Sequence, residues 1–189
     1  MENDGNEYIE IFEQRLGVDS PEVFGNFSVR NADYIILRLV ESAKESVSLF
    51  TDRIPGEDGR LEEAVRVAAE NIVKNNPKGA TGAIRIITVD GEKHPGLVKS
   101  ARETNAQLHR RVVSVIEAKH HGRKTINPYV VVDLRRYRLE DSHKPFKGEP
   151  PDILKSEVSC NNSTKAVVLE SSFNRLWTSL KEKRNDTER

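Results

Sequence analysis

The chain has 189 residues, and its 30 Lys and Arg residues balance its 30 Asp and Glu residues. This length predicts a single domain that can bury enough surface to fold without disulfides or bound metals. The net charge of zero excludes a global field that would attract nucleic acid or anionic lipid, so binding of either would need a local patch.

Helices and strands alternate in the first part of the predicted order. Apolar side chains at helical spacing predict the helices, and runs of β-branched residues predict the strands. Because strands that alternate with helices usually lie side by side and run in the same direction, we expect a largely parallel sheet with covering helices. The predicted elements are a helix over residues 7–16, a loop over 19–27, a helix over 32–44, a strand over 47–50, a helix over 61–73, a strand over 83–89, a helix over 95–107 and a strand over 111–116.

The second part of the chain predicts a hairpin, a long polar loop, and a final strand and helix. The polar loop contains three prolines, and a loop of that length indicates function or disorder. In the final helix we expect Trp177 to anchor the core together with Phe173. The predicted elements are strands over 129–133 and 137–140, a loop over 141–162, a strand over 165–169, and a helix that begins at Ser171 or Ser172 and ends at residue 183.

The predicted organisation is an N-terminal helix and linker over residues 1–30, a single domain over 31–183, and a disordered tail over 184–189. The one cysteine, Cys160, cannot form an internal disulfide, which indicates a reducing compartment. We interpret it as a spectator thiol rather than a nucleophile. The N-terminus lacks the features of a signal peptide, and no apolar run approaches the ~20 residues that span a bilayer, so we expect a cytoplasmic protein.

Six segments stand in an order that is typical of one protein superfamily. Each is a weak signal alone, and their order carries the resemblance. The segments are Glu-Ser-Ala-Lys-Glu-Ser at 41–46, Val-Ser-Leu-Phe at 47–50, Tyr-Val-Val-Val-Asp at 129–133, Tyr-Arg-Leu-Glu at 137–140, Lys-Ala-Val-Val at 165–168 and Phe-Asn-Arg-Leu-Trp at 173–177. Over residues 31–180 the chain therefore resembles a single phospholipase D-like domain. The resemblance implies an α/β fold with a mixed, largely parallel sheet flanked by helices.

Active members of that family carry the motif His-x-Lys-x4-Asp. The resemblance implies that the His attacks a phosphodiester phosphorus and that the Lys stabilises the oxyanions. If Asp133 occupies the Asp place, Pro128 occupies the Lys place and Ile126 the His place. Isoleucine offers no nucleophile and proline no charge, so we expect the motif to be degenerate and the chain to be catalytically inactive.

A displaced active site is the alternative. His120 and His121 lie just upstream of Lys124, and a loop that folds back would bring them towards Asp133. The other interpretation of this His pair, which we favour, is a solvated basic surface.

The polar residues of the predicted hairpin are candidate ligand contacts: Asp133, Arg135, Arg136, Tyr137, Arg138 and Glu140. In a structural interpretation Asp133 satisfies the turn and Arg138 pairs with a nearby carboxylate. In a functional one they form a pocket in which Arg138 binds an anion.

Basic residues on neighbouring predicted elements are the last candidate. As one patch they would bind a phosphate backbone with strong salt dependence, whereas the alternative is a solvated face. The residues are Arg110, Arg111, Lys119, Arg123, Lys124, Arg135, Arg136 and Arg138.

Three functional hypotheses follow. The first is a non-catalytic phospholipase D-like module that binds a partner protein or a phosphate-bearing ligand. The second is a phosphodiesterase or nuclease with the displaced His and Lys site, and the third is a nucleic-acid-binding module. The resemblance also implies a homodimer or docking onto another protein. We expect no cofactor and no metal, since the histidines lack Cys or carboxylate partners at ligand spacing.

Overall fold

Helices and strands assemble around one seven-stranded sheet in the part of the chain that the structure describes. The computed structural model describes residues 4–52, 55–56, 59–89, 94–118, 127–140 and 153–187. The elements are α1 (Asp4–Gly17), β1 (Val23–Ser28), α2 (Val29–Glu41), β2 (Val47–Thr51), α3 (Arg60–Asn75), β3 (Ile84–Val89), α4 (Pro95–Gln107), β4 (Val113–Ala118), β5 (Tyr129–Val132), β6 (Arg136–Glu140), β7 (Ile153–Ser159) and α5 (Ser163–Thr187).

The strands lie in the order β1-β7-β6-β5-β2-β3-β4. This arrangement confirms the α/β class with a mixed sheet flanked by helices. The parallel share is smaller than predicted, since only the β2–β3 and β3–β4 pairs are parallel. The other four pairs are antiparallel, because the chain returns after β4 as a hairpin and β7 and β1 extend the sheet beyond it.

Two predicted loops contain strands. β1 falls within the predicted loop over 19–27, and β7 falls within the predicted loop over 141–162, of which residues 141–152 lie outside the described residues. β1 and β7 pair with each other, and β7 also pairs with β6. The prediction of loops there was wrong because these polar strands are stabilised by long-range pairing, which local propensity does not report. Residues 23–28 are therefore part of the sheet rather than a linker.

The predicted strand over 165–169 was also wrong. These residues form the beginning of α5, where the Asn162 side chain accepts a hydrogen bond from the Lys165 N–H at 3.1 Å. A helical stripe of buried residues follows: Ala166, Leu169, Phe173 and Trp177. Because this spacing matches one helical face, the helix begins well before Ser171 and Ser172 and runs through Thr187 into the predicted tail.

The two faces of the sheet carry separate cores. On one face, α1, α2, α3 and α4 cover an aliphatic cluster that includes Leu49, Ile86 and Val130. On the other face, α5 covers an aromatic cluster in which the rings of Phe173 and Trp177 stack at 5.7 Å. None of the described helices combines the length and the apolar character that a bilayer span requires.

The topology defines two edges of the sheet. We call the edge where β2, β3 and β4 begin the amino edge, and the edge where they end the carboxyl edge. β5 runs antiparallel to β2, with Val47 beside Val132 and Phe50 beside Tyr129. The turn between β5 and β6 therefore lies at the amino edge, and Pro128 lies at the carboxyl edge.

Candidate functional site

Asp133 lies in the turn after β5 and its carboxylate is almost fully buried, with 3% of the side chain exposed. Oδ1 accepts hydrogen bonds from the backbone N–H groups of Glu45 at 2.7 Å, Ser46 at 3.0 Å and Lys44 at 3.1 Å. The Asp133 N–H donates in return to the Ser46 carbonyl at 3.0 Å. The carboxylate therefore fastens the β5–β6 turn to the connection between α2 and β2.

Arg136 extends this network towards α1 and α2. Its guanidinium donates to Asp19 Oδ1 at 2.6 Å and to the Ser42 carbonyl at 3.2 Å, just beyond the last turn of α2. It also lies 3.5 Å from Asp133 Oδ2. Burial opposes ionisation of Asp19, but the hydrogen bond and charge of Arg136 outweigh burial and lower the pKa of that carboxyl. A cation at the carboxyl end of a helix is favourable, so Arg136 serves as a structural cap.

The turn itself is backbone-strained. Asp133 and Leu134 both have φ of 53°, and the Arg135 N–H donates to the Val132 carbonyl at 3.2 Å. Positive φ at both central residues is the signature of the type I′ turn that matches the twist of a hairpin. Asp tolerates this region, whereas leucine does so only when its surroundings impose it.

Pro128, which the family resemblance assigns to the Lys place of the motif, lies at the carboxyl edge. The Pro128 carbonyl accepts a hydrogen bond from the Glu140 N–H at 2.9 Å, which closes the hairpin there. Five residues of extended chain separate Pro128 from Asp133, which corresponds to roughly 16 Å. Asp133 is therefore remote from the position where a motif Lys would stand, and its contacts match the structural interpretation.

The remaining hairpin candidates are buried. The Arg138 guanidinium pairs with Glu140 Oε1 at 2.6 Å, and Arg138 is only 1% exposed. Tyr137 is buried on the opposite face of the sheet, where burial raises its pKa to about 12. Arg135 is half-exposed on the turn, 3.4 Å from Asp19. The structure thus brings Asp133, Arg135 and Arg136 together, and it places Arg138 and Glu140 further along β6 as a separate ion pair.

The displaced-site residues His120, His121 and Lys124 lie outside the described residues, as does Ile126. Their described neighbours, Ala118 at the end of β4 and Asn127 before β5, belong to the carboxyl edge.

The predicted basic patch does not form one surface among the described residues. Arg136 and Arg138 are buried in ion pairs. Arg110 and Arg111 precede β4, four strand spacings from β6 and hence roughly 19 Å away. Lys119, Arg123 and Lys124 lie outside the described residues.

Cys160 is buried, and burial raises the pKa of its thiol to about 11. A protonated, enclosed thiol is a poor nucleophile, which agrees with the interpretation as a spectator. Among the described residues, no group of three or more His, Cys, Asp and Glu side chains has a metal-binding arrangement.

A cavity of about 400 Å³ at the amino edge was not predicted from the sequence. It lies where the last turns of α1, α2 and α3 converge, and Arg38, Glu41, Lys44 and Arg136 are among its lining residues. Glu13 accepts from Arg38 Nε at 2.8 Å, and this hydrogen bond is the main cause of its lowered pKa. The sequence held one signal for it. Three predicted helices each end shortly before a strand or loop, which would bring their carboxyl ends to the same edge of the sheet.

The fold is similar to those of several solved structures. TrmBL2, described as an archaeal chromatin protein with a novel mode of DNA binding, is 13% identical with a TM-score of 0.60 over 94% of this chain and 61% of that chain. Nuc from Salmonella typhimurium, described as a phospholipase D family member, is 14% identical with a TM-score of 0.54 over 83% of this chain and 94% of that chain. NucT from Helicobacter pylori is 12% identical with a TM-score of 0.55 over 84% of this chain and 98% of that chain.

These similarities confirm a phospholipase D-like fold. The chain spans less than two thirds of the length of TrmBL2. No protein-family model and no curated protein matches the sequence.

The strained turn makes a testable prediction about stability. Leu134→Gly should be more stable than Leu134→Ala by about 0.5–1 kcal/mol in urea unfolding, because glycine adopts positive φ without the Cβ penalty. The control is Val168, which is exposed on α5. There Gly should be less stable than Ala by about 1 kcal/mol. The same sign of the difference at both positions would contradict the assigned strain.

Proposed function

We propose that this chain is a phospholipase D-like module that binds a phosphate-bearing ligand without cleaving it. The observation that carries the proposal is that two motif positions, Pro128 and Asp133, make structural contacts. The backbone of Pro128 closes the hairpin, and the Asp133 carboxylate is occupied by three backbone N–H groups and Arg136. Neither position offers a group that attacks phosphorus or stabilises the charge that develops there.

Phosphoryl chemistry of this family type needs a nucleophile beside a cation. A proline side chain supplies no donor and no charge, so the Lys place cannot stabilise an oxyanion. The nearest described cation along the hairpin, Arg138, is buried and paired with Glu140. These two observations favour binding without turnover at this edge.

The carboxyl edge is where we place the ligand. Ligands of open α/β sheets bind outside the carboxyl ends of the strands. The segment between β4 and β5 carries Lys119, Arg123 and Lys124 in its sequence, and its described neighbours belong to this edge. A phosphate backbone is neutralised by such Lys and Arg side chains. The DNA binding stated for TrmBL2, which shares the fold, supports nucleic acid as the source of the phosphates.

A partner protein as ligand, and the homodimer implied by the family resemblance, stay predictions. Neither changes the proposed chemistry, which concerns what this chain's own residues can do to a phosphodiester.

The inactive character is tested on bis-p-nitrophenyl phosphate and on DNA with a chelator present. We expect no turnover above that of buffer, and no difference between the wild-type chain and a His120→Ala plus His121→Ala variant, because the Lys place holds a proline. Turnover that disappears in the His variant would contradict the proposal and would establish the displaced active site.

Binding is tested by fluorescence anisotropy with a labelled single-stranded DNA oligonucleotide. We expect saturable binding that weakens as salt rises, and Arg123→Ala plus Lys124→Ala should lower the slope of log affinity against log salt by about 1.4. The matched control is Arg110→Ala plus Arg111→Ala, which removes two cations that precede β4 at the amino edge. An equal loss in the control, or binding that is insensitive to salt, would contradict a phosphate site at the carboxyl edge.

A further inference from the structure

The amino-edge cavity has no part in the proposed phosphate site. It lies at the opposite end of β5 from Pro128, between the last turns of α1, α2 and α3. Its volume of about 400 Å³ lies within the range of small-molecule sites, and most of its lining residues are polar or charged. The ligand that it can bind therefore depends on which lining groups already have hydrogen-bond or ion-pair partners.

Two arginines of the wall are held by carboxylates. Arg38 donates through Nε and Nη2 to the two Glu13 oxygens, at 2.8 and 3.1 Å, and through Nη1 to Glu41 Oε2 at 2.7 Å. Arg136 donates to Asp19 Oδ1 through Nε and Nη2 at 3.1 and 2.6 Å. The Arg38–Glu13 pair is bidentate, and both pairs fix the wall in position and largely neutralise its charges. They leave little capacity for a free anion to compete for either guanidinium.

The uncommitted groups fall into two kinds. Among the described residues, the second oxygen of Glu41 and the side-chain oxygens of Asn71 and Asn75 receive no hydrogen bond. Each Asn side chain uses one of its two N–H groups, since Asn71 donates to the Glu41 carbonyl at 3.1 Å and Asn75 donates to the Asn71 carbonyl at 2.7 Å. The acceptors are therefore left for a ligand that donates hydrogen bonds.

Lys44 is the cation of the lining that has no close ion pair. It is exposed, and no carboxylate of the described residues lies within ion-pair distance of its ammonium group, although its charge helps to lower the pKa of Asp19. It follows the end of α2 by three residues, so Glu41 and Lys44 border the cavity with opposite charges. The carboxyl ends of α2 and α3 add partial negative charge on the side of Glu41 and the Asn pair.

We propose that this cavity binds a free α-amino acid with a polar side chain. The ligand ammonium donates to Glu41 and to the Asn71 and Asn75 oxygens, and the ligand carboxylate pairs with Lys44. An anion alone would meet Glu41 and two helix carboxyl ends, and a cation alone would leave Lys44 without a carboxylate at ion-pair distance. A zwitterion satisfies both sides, and the polar lining suits a side chain with an amide or hydroxyl group.

The test is an NMR titration of the full chain with L-glutamine and two analogues that each lack one charge. 4-Aminobutanamide lacks the carboxylate and glutaramate lacks the ammonium group. We expect L-glutamine, or one of L-asparagine, L-serine and L-threonine used beside it, to cause saturable shifts at the backbone amides of residues 41–46. The two analogues of glutamine should then bind at least tenfold more weakly than L-glutamine.

Variants identify the two contacts. Glu41→Gln and Lys44→Met should each weaken binding of the amino acid at least tenfold, whereas Lys74→Met, a solvent-exposed change on the last turn of α3, should not. Absence of saturable shifts with all four amino acids up to concentrations on the order of 10 mM would overturn the proposal. Equal binding of the single-charge analogues would overturn it as well. Because the site lies away from the carboxyl edge, neither result depends on whether the chain binds DNA.

Discussion

One buried carboxylate joins the parts of this fold that lie far apart in sequence. Asp133 accepts hydrogen bonds from three consecutive backbone N–H groups at the start of β2, 87 to 89 residues away. Such groups at an ionised acceptor form strong hydrogen bonds, and each would carry a desolvation cost of about 1–3 kcal/mol if it were left without a partner. Arg136 then connects the same turn to Asp19 after α1 and to the end of α2. The antiparallel half of the sheet is thereby fixed on its parallel half.

Asp133 has a structural role in this arrangement that is separate from any catalytic role. The aspartate after β5 is used by the architecture, because the α2–β2 connection would otherwise present part-buried N–H groups without acceptors. The Pro128 position, just before β5, makes no comparable demand on its side chain. Pro128 fits there because its carbonyl, which proline retains, is the group that the hairpin uses.

Much of the fold could be predicted from local pattern. The helix that became α4 was predicted with its observed bounds, and the step from α2 into β2 was clear because an apolar helical face leads directly into a buried strand. β1 and β7 were missed because the predicted loops around them contain Pro, Gly and polar residues, whereas the two strands are stabilised by pairing with each other and, for β7, with β6. Lys165–Leu169 was mistaken for a strand because Val167 and Val168 favour strands locally, although both are exposed on the outer face of α5.

The site was only partly predictable, for a related reason. Asp133 could be singled out by its place in a family pattern, but its partners are backbone N–H groups, which no side-chain motif records. The amino-edge cavity arises from the meeting of three helix ends, and its acceptors come from α2 and α3, whose mutual position is a tertiary property. The proposed phosphate site and the proposed amino-acid site are therefore at different edges of one sheet, which Asp133 and Arg136 hold together.

The most direct test of the structural role of Asp133 is the free energy of unfolding of Asp133→Ala, measured by urea denaturation beside binding of the labelled oligonucleotide. We expect a loss of about 1–3 kcal/mol, because three part-buried N–H groups lose their acceptor while Arg136 keeps Asp19, with no change in oligonucleotide affinity while the chain is folded. Asp133→Asn, which keeps one acceptor oxygen, should lose less. A loss below about 0.5 kcal/mol together with abolished oligonucleotide binding would contradict this account.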